Sequence, residues 1–522
     1  MQKIMINGAD AGTSIADAVK KLQAGDVMTI GSGRYSESVR MENINGTADK
    51  PVHIKAEAGA VLDGMGGEIA LAVVDCAHII IEGLCVTNAH YGIDVKSTPA
   101  CGNKTLEHII LRGNEVYGID GPKGGHAIAV YGENPHAPIS GLVIENNRVH
   151  NNRLYWSEAL VVNGNIDGFV INGNIVWNND NIGIDIIGFE GKAGDNPDVD
   201  CARNGEVFDN IVFGSNTTGN EAYWSGNHNP EGWDGERREK NAFGGEYDRC
   251  CGGIYVDGGW HIEIFHNFVF DNDLGIEVAT EHKPPLVTKD VHVHDNIIAG
   301  SNGWAGLIFG GYASHLGFTT ECTFKNNILY DNESSVAVQK SKGNVLKNNV
   351  IVGGWAALDF NGEMQENNLF EENYWENTNN DDEYFEQLDE LPTNQRDKQV
   401  KGKNLLKNPA SGDFTLSNLP AEAGTQWRPD GKWLKLYAEF LKAQQKADEA
   451  VEYLQSKTFP APADGESPCT HITQLLNDGG FAGVSAKRLL KQSKDKYMVQ
   501  LAAQYGENIY AQATTKEGVH MA

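Results

Sequence analysis

The sequence predicts an all-β fold, a right-handed parallel β-helix with an N-terminal helical cap and a C-terminal α-helical extension, and three observations point to it. First, Asn114, Asn147, Asn174, Asn210, Asn267, Asn296, Asn327, Asn349 and Asn368 each stand two residues before an apolar residue, in strings such as INGNIVWNN, FHNFVFDN and FKNNILYDN. Second, their spacings of 33, 27, 36, 57, 29, 31, 22 and 19 residues are too irregular for a helical solenoid. They suit a coil whose loops accept insertions while its strands do not. Third, apolar and polar residues alternate around each asparagine, as in HIEIFHNFVF, which is the period of a half-buried strand. Asparagine tolerates the left-handed conformation of a tight corner, and its amide both donates to and accepts from an identical amide on the next coil. A stacked ladder is therefore expected, right-handed because parallel crossovers nearly always are. Asn-rich loops of a sandwich or propeller would imitate part of this pattern, but the antiparallel hairpin rhythm of those folds is missing.

Along the chain, residues 1–26 read as the cap, with SIADAVKKL (14–22) a short helix behind a Ser cap. Such a cap covers backbone groups that the terminal coil would otherwise leave unpaired. Residues 27–425 carry the strand and corner pattern, beginning with DVMTIGSGRYSESVRM. A long insertion at about 191–250 interrupts them. Its second half sets Tyr223, Trp224, Trp233, Phe243 and Tyr247 among charged residues and glycines, a mix that suits a loop over a sugar-binding groove or an aromatic anchor for that loop. Residues 426–522 change character. WLKLYAEFLKAQQKADEAVEYLQ has helical spacing, and two further short helices split at Gly479 and Gly480 should follow. These helices could cover the C-terminal end or join copies of the chain in a homo-oligomer.

The composition of 522 residues, 60 glycines and 40% hydrophobic residues suits a turn-rich solenoid. With 42 Lys+Arg against 71 Asp+Glu, a net charge of -29 argues against a nucleic-acid partner. No stretch is apolar enough for a membrane span or a secretory signal, so a cytoplasmic location is expected, or a secreted one if a signal has been trimmed. The eight cysteines form no CxxC pair or regular framework, and buried free thiols are expected.

Aligning the strands after the asparagine corners gives GHAIAVYGEN, SEALVVNGN, IGIDIIGFEG, GGIYVDGGW, LGIEVATEH, AGLIFGGY, SSVAVQK and AALDFNG. Three central members are acidic, contributing Asp185 and Glu190, then Asp257, then Glu277 and Glu281, on three adjacent coils of one sheet. Stacked like charges destabilise a fold unless cations or a metal offset them, so a catalytic role is the simpler account. Neighbouring coils lie about 5 Å apart, near the carboxyl spacing of retaining glycosidases, and crowding raises one carboxyl's pKa while another stays ionised. Asp257 is the expected nucleophile and Glu277 or Glu281 the acid/base. Asp185 and Glu190 are expected to bind substrate, with His126, Trp224, Trp233, Trp260, His282, Trp304, Tyr312 and Lys340 supplying stacking and hydroxyl contacts. A lone His or Trp at a coil edge is also commonly structural.

The coil pattern and the run GGIYVDGGWHIEIFHNFVFDNDLGIEVATEH resemble the right-handed parallel β-helix proteins of the pectate-lyase-like superfamily, over about residues 27–420. The greatest similarity is to the bacterial glycoside-hydrolase branch that includes the β-helical β-xylosidases. That resemblance implies an Asp nucleophile at Asp257 and a Glu acid/base at Glu281 or Glu277. The extra β-sandwich of that branch has no counterpart here, so its substrate specificity does not carry over. The function that follows is a retaining glycoside hydrolase acting on a plant or algal poly- or oligosaccharide, with no required cofactor. Two alternatives stay open. A polysaccharide lyase would cleave a uronate polymer by β-elimination, with Ca²⁺ on Asp185, Glu190, Asp257 and Glu281 and a base from Arg249, Lys283 or Lys340. A non-catalytic carbohydrate-binding solenoid would need the fold and the aromatics but not a crowded acidic pocket.

Overall fold

The computed structural model describes residues 3–121, 124–217, 220–223, 249–283, 285–311, 317–360, 365–376, 396–397, 400–456 and 468–481. The chain divides into two compact units, one of Met1–Asn216, Cys250–Lys407 and Phe414–Pro429, the other of Thr217–Arg249, Asn408–Asp413 and Asp430–Ala522. The first is a right-handed parallel β-helix, as the repeat predicts.

One coil shows how the sequence builds it. Strand Trp260–Phe265 turns at Asn267 into Phe268–Phe270, which turns at Asn272 into Leu274–Ala279, and the next coil begins at Thr288–His294. Each strand pairs in parallel with its equivalent one coil on: Ile262 with Val291, Phe268 with Ile297, Ile276 with Leu307. Alternation points Ile262, Ile264, Val269, Ile276 and Val278 inward, all with 0% exposure.

The ladder is present at the first corner. Asn210 donates from its backbone N–H (3.1 Å) and its side-chain amide (3.0 Å) to Asn267 Oδ1, and Asn267 repeats both bonds to Asn296 Oδ1 at 2.9 and 3.0 Å. The same double bond links Asn114 to Asn147, Asn147 to Asn174, Asn174 to Asn210, Asn296 to Asn327 and Asn327 to Asn349. Two expectations are corrected. The last rung is Asn373, which accepts from Asn349, while Asn368 belongs to a separate ladder with Asn344. The left-handed residue is also not the ladder asparagine but the one before it: Gly113, Asn146, Gly173, Asp209, His266, Asp295, Asn326, Asn348 and Glu372 all have positive φ. The chain has to reverse before the amide can point along the stack. A further ladder, five residues on, runs along the second corner through Asn152 and Asn179, and Asn272 and Asn332 accept there from Ser215 and Ser301.

At the N-terminal end the helix is Ile15–Val19, shorter than expected, with Ser14 Oγ accepting from Asp17 N at 3.2 Å. The Glu37 carboxylate accepts from Ile15 N and Ala16 N, satisfying two of the first-turn donors. In the second unit, helix Gly431–Gln455 is capped by Asp430, and Pro468–Asp478 ends before Gly480 at φ +85°. The last expected helix lies outside the described residues.

Asn267 is fully buried and makes bonds to both neighbouring coils. Replacing it with Ala strands those partners, at about 1–3 kcal/mol for each buried group left unpaired. Asn267→Ala is therefore expected to lower the melting temperature by several degrees in calorimetry, whereas Asp209→Gly, at an exposed position with φ 55°, leaves it nearly unchanged. Equal shifts would show that the ladder contributes nothing special.

Candidate functional site

The strands Ile128–Gly132, Leu160–Gly164, Ile184–Ile187, Gly252–Asp257, Leu274–Ala279, Ala305–Phe309, Ser334–Val338 and Ala356–Phe360 form one continuous parallel face, in the order the aligned strings predict. Their inward residues, including Ile184, Ile186, Ile254, Val256, Ile276 and Val278, belong to the core. Asp185, Tyr255, Asp257 and Glu277 are in the opposite phase and point outward. Register sets Val161, Asp185, Tyr255, Glu277 and Ile308 side by side on successive coils. Asp257 stands two residues further along the Tyr255 strand, opposite Ala279.

These outward acids are not solvated. Asp185 is 2% exposed, Glu277 5% and Asp257 6%. Glu277 is pushed up to about 8, by burial first and by Glu281 second. Asp257 and Asp185 both lie well above the ordinary carboxylate range. Burial is the largest cause for each, followed by Glu281 for Asp257 and by Glu158 and Asp257 for Asp185. Glu281 is exposed as a residue, yet its carboxyl is raised by burial first and by Glu190 second. Its backbone N–H donates to Asp257 Oδ1 at 2.9 Å, a bond that favours ionised Asp257.

Further toward the N-terminal end the wall holds Glu158, Asn163 and Glu190. Asn163 donates to Glu190 Oε2 at 2.8 Å, and Lys192 lies 3.5 Å from the same oxygen. Burial and Glu190 push Glu158 up to about 8. His126 is buried against Glu158, with Nδ1 3.1 Å from the backbone oxygen of Glu158, while Tyr131 Oη lies 2.7 Å from Nε2. A neutral ring with its proton on Nδ1 makes both bonds, and burial, which lowers its pKa to about 4, keeps it neutral. The Lys96 and Lys192 ammonium groups lie 5.2 and 5.4 Å from the Tyr131 ring centre.

The structure thus brings together Asp185, Glu190, Asp257, Glu277, Glu281 and His126. His282, three residues after Ala279, is half-buried, and its Nε2 meets no hydrogen-bond partner among the described residues. Lys340 is buried at the end of the Ser334–Val338 coil, its carbonyl accepting from Gly311 N at 2.8 Å. Trp304 packs on Leu274, Ala305, Ile308 and Ala337, and its indole donates to Asp359 at 2.8 Å. Trp260 is a correction to the expected sugar contact. The turn at Gly258 carries it onto the neighbouring sheet, where it is 8% exposed, donates to Val287 O at 2.7 Å and packs on Phe189 beneath Lys289. Trp224, Trp233 and Tyr312 lie outside the described residues. Sequence reasoning missed Glu158, Asn163 and Tyr255; Tyr255 and Asn163 share the outward phase of the acids, which is the signal that would have found them.

Among the described residues no three His, Cys, Asp or Glu side chains gather closely enough to hold a metal ion. The thiols of Cys76, Cys85, Cys101, Cys201 and Cys322 are pushed up to about 11 or 12 by burial and stay protonated. Among the described residues no helix is long and apolar enough to cross a membrane.

A buried acidic wall on a right-handed parallel β-helix defines the class of the molecule. Within it, the chain is 32% identical over 372 residues to the uncharacterized protein YwoF of Bacillus subtilis (strain 168), covering 68% of this chain and 73% of that one, and it belongs to the YwoF family. The family model for NosD, a periplasmic copper-binding protein, matches residues 213–382. Similar solved structures include an alginate lyase from Paenibacillus (16% identity, 68% of this chain and 96% of that one, TM-score 0.39) and XylC in complex with xylose (11%, 75% and 80%, TM-score 0.41). A GH136 lacto-N-biosidase from Eubacterium ramulus is another (13%, 68% and 64%, TM-score 0.45).

Glu277 and Glu158 bind protons more tightly folded than unfolded, between the ordinary glutamate value and about 8. Folding therefore takes up protons in that window, and stability must fall as pH rises through it. The melting temperature should decline from about pH 5 to about pH 8, and Glu277→Gln should melt above the wild type at the upper end. A wild type that grows steadily more stable across that interval would contradict the assignment.

Proposed function

We propose that the protein is a glycoside hydrolase in which Asp257 is the nucleophile and Glu277 the acid/base. The observation that carries this reading is the outward wall on consecutive coils, where Glu277 at about 8 holds a proton at neutral pH while Asp257 accepts the Glu281 N–H. General acid catalysis needs a proton held near the working pH, and the nucleophile needs a stabilised negative charge.

The acids titrate as a coupled set, so the first charge settles where hydrogen bonding best supports it. Burial is the largest influence raising Asp257; protonation of Glu277 removes one repulsion on it, and the Glu281 N–H is the contact that favours its ionised form. Coils about 4.8 Å apart and a two-residue offset of about 6.6 Å place the Asp257 and Glu277 backbones about 8 Å apart. Side chains leaning together from that separation reach the carboxyl spacing of about 5–5.5 Å used by retaining enzymes. In the first half-reaction the Asp257 carboxylate attacks the anomeric carbon while the Glu277 proton passes to the departing oxygen. In the second, Glu277 takes a proton from water, which displaces Asp257 and restores both groups.

Asp257→Asn is nearly isosteric and is expected to reduce turnover of chromogenic glycosides by at least about 10³-fold with the melting temperature preserved. Glu277→Gln should lose most activity on poor leaving groups and retain more on activated aryl glycosides. Undiminished turnover by Asp257→Asn removes it from the mechanism. An unsaturated, ultraviolet-absorbing product from uronate polymers would instead assign the site to a lyase.

A further inference from the structure

We infer that the site takes a sugar carrying a free ammonium group, a de-N-acetylated hexosamine, with the cation held against Asn163, Asp185 and Glu190. This rests on the carbohydrate reading above and refines it to a substrate class. Asn163 and Asp185 are 1% and 2% exposed, yet Asn163 Oδ1 and Asp185 Oδ1 meet no hydrogen-bond partner among the described residues. Both lie in the outward phase of neighbouring strands, and Asn163 has turned its amide to Glu190, so its oxygen is left with acceptor capacity alone. A buried acceptor without a donor is costly, and an ammonium group brings three donors at once.

Charge separates this ligand from other sugars. Lys192 is paired into the cluster at Glu190, and Lys96 is drawn off toward Asp94 and Glu133 at 3.5 and 3.7 Å. Glu158, Asp185, Asp257 and Glu281 each hold a proton more tightly because of acidic neighbours, so any acid of the cluster that ionises meets repulsion. A uronate would add charge of the same sign. A neutral sugar would supply donors but leave the repulsion in place, whereas a cationic one relieves it and satisfies both oxygens.

Titration calorimetry of the full chain with four β-1,4 or α-1,4 trisaccharides tests this: glucosamine trimer, N-acetylglucosamine trimer, glucose trimer and galacturonate trimer. The glucosamine trimer is expected to bind at least about tenfold more tightly than its acetylated and glucose counterparts, with affinity falling as salt rises. Glu190→Gln, at an exposed carboxylate, and Asp185→Asn should each weaken it by about tenfold and remove its advantage over the glucose trimer. Equal binding of the glucose and glucosamine trimers overturns the ammonium subsite and leaves the carbohydrate reading intact. Tightest binding of galacturonate overturns it in favour of an anionic substrate, and failure of all four to bind overturns both readings.

Discussion

The register of one coil on the next is the constraint on which the rest of the molecule depends, and the corner asparagines enforce it. Each ladder amide bonds to the coils on both sides, so Asn210, Asn267 and Asn296 cannot shift independently. Strand periodicity is two, and a slip of one residue would exchange the inward and outward sets along a whole strand. Ile254, Val256, Ile276 and Val278 would then face solvent while Asp257 and Glu277 entered the core. Distant parts of the chain form one wall only because that slip is blocked.

Holding the wall together has an energetic cost. Asp185, Asp257 and Glu277 are almost fully buried beside one another, and each is pushed toward its protonated form. The long stack of apolar coils, with a continuous core from Ile4 to Trp375, offsets the penalty. Stability and the proposed chemistry thus draw on different layers of the same strands, the inward residues supplying the first and the outward acids carrying the second. Catalytic carboxyls with shifted pKa values are common in such settings because burial and like charge are what shift them.

Much of this was legible in the sequence. Coil pattern, strand alignment and the outward phase of Asp185, Asp257 and Glu277 follow from period-two alternation, which is local. The corners were read less well. Asn368 and Asn373 both fit the spacing rule, and only three-dimensional register separates the two ladders they join. The left-handed residue precedes the ladder asparagine because backbone reversal and side-chain stacking are shared between two residues, a division that composition does not reveal. Glu158 escaped notice because it precedes its strand, and Tyr255 because a tyrosine between acids looks like packing. Trp260 was misplaced because the two glycines before it hide a change of sheet.

The central claim, that this wall keeps a proton on Glu277 while a neighbouring carboxylate stays charged, can be read directly by difference infrared spectroscopy. At neutral pH the wild type should show protonated carboxyl stretches, one component of which titrates near 8 and is removed in Glu277→Gln while that of Glu158 remains. A spectrum in which every carboxyl is already ionised at neutral pH, with no band removed by that substitution, would contradict the account.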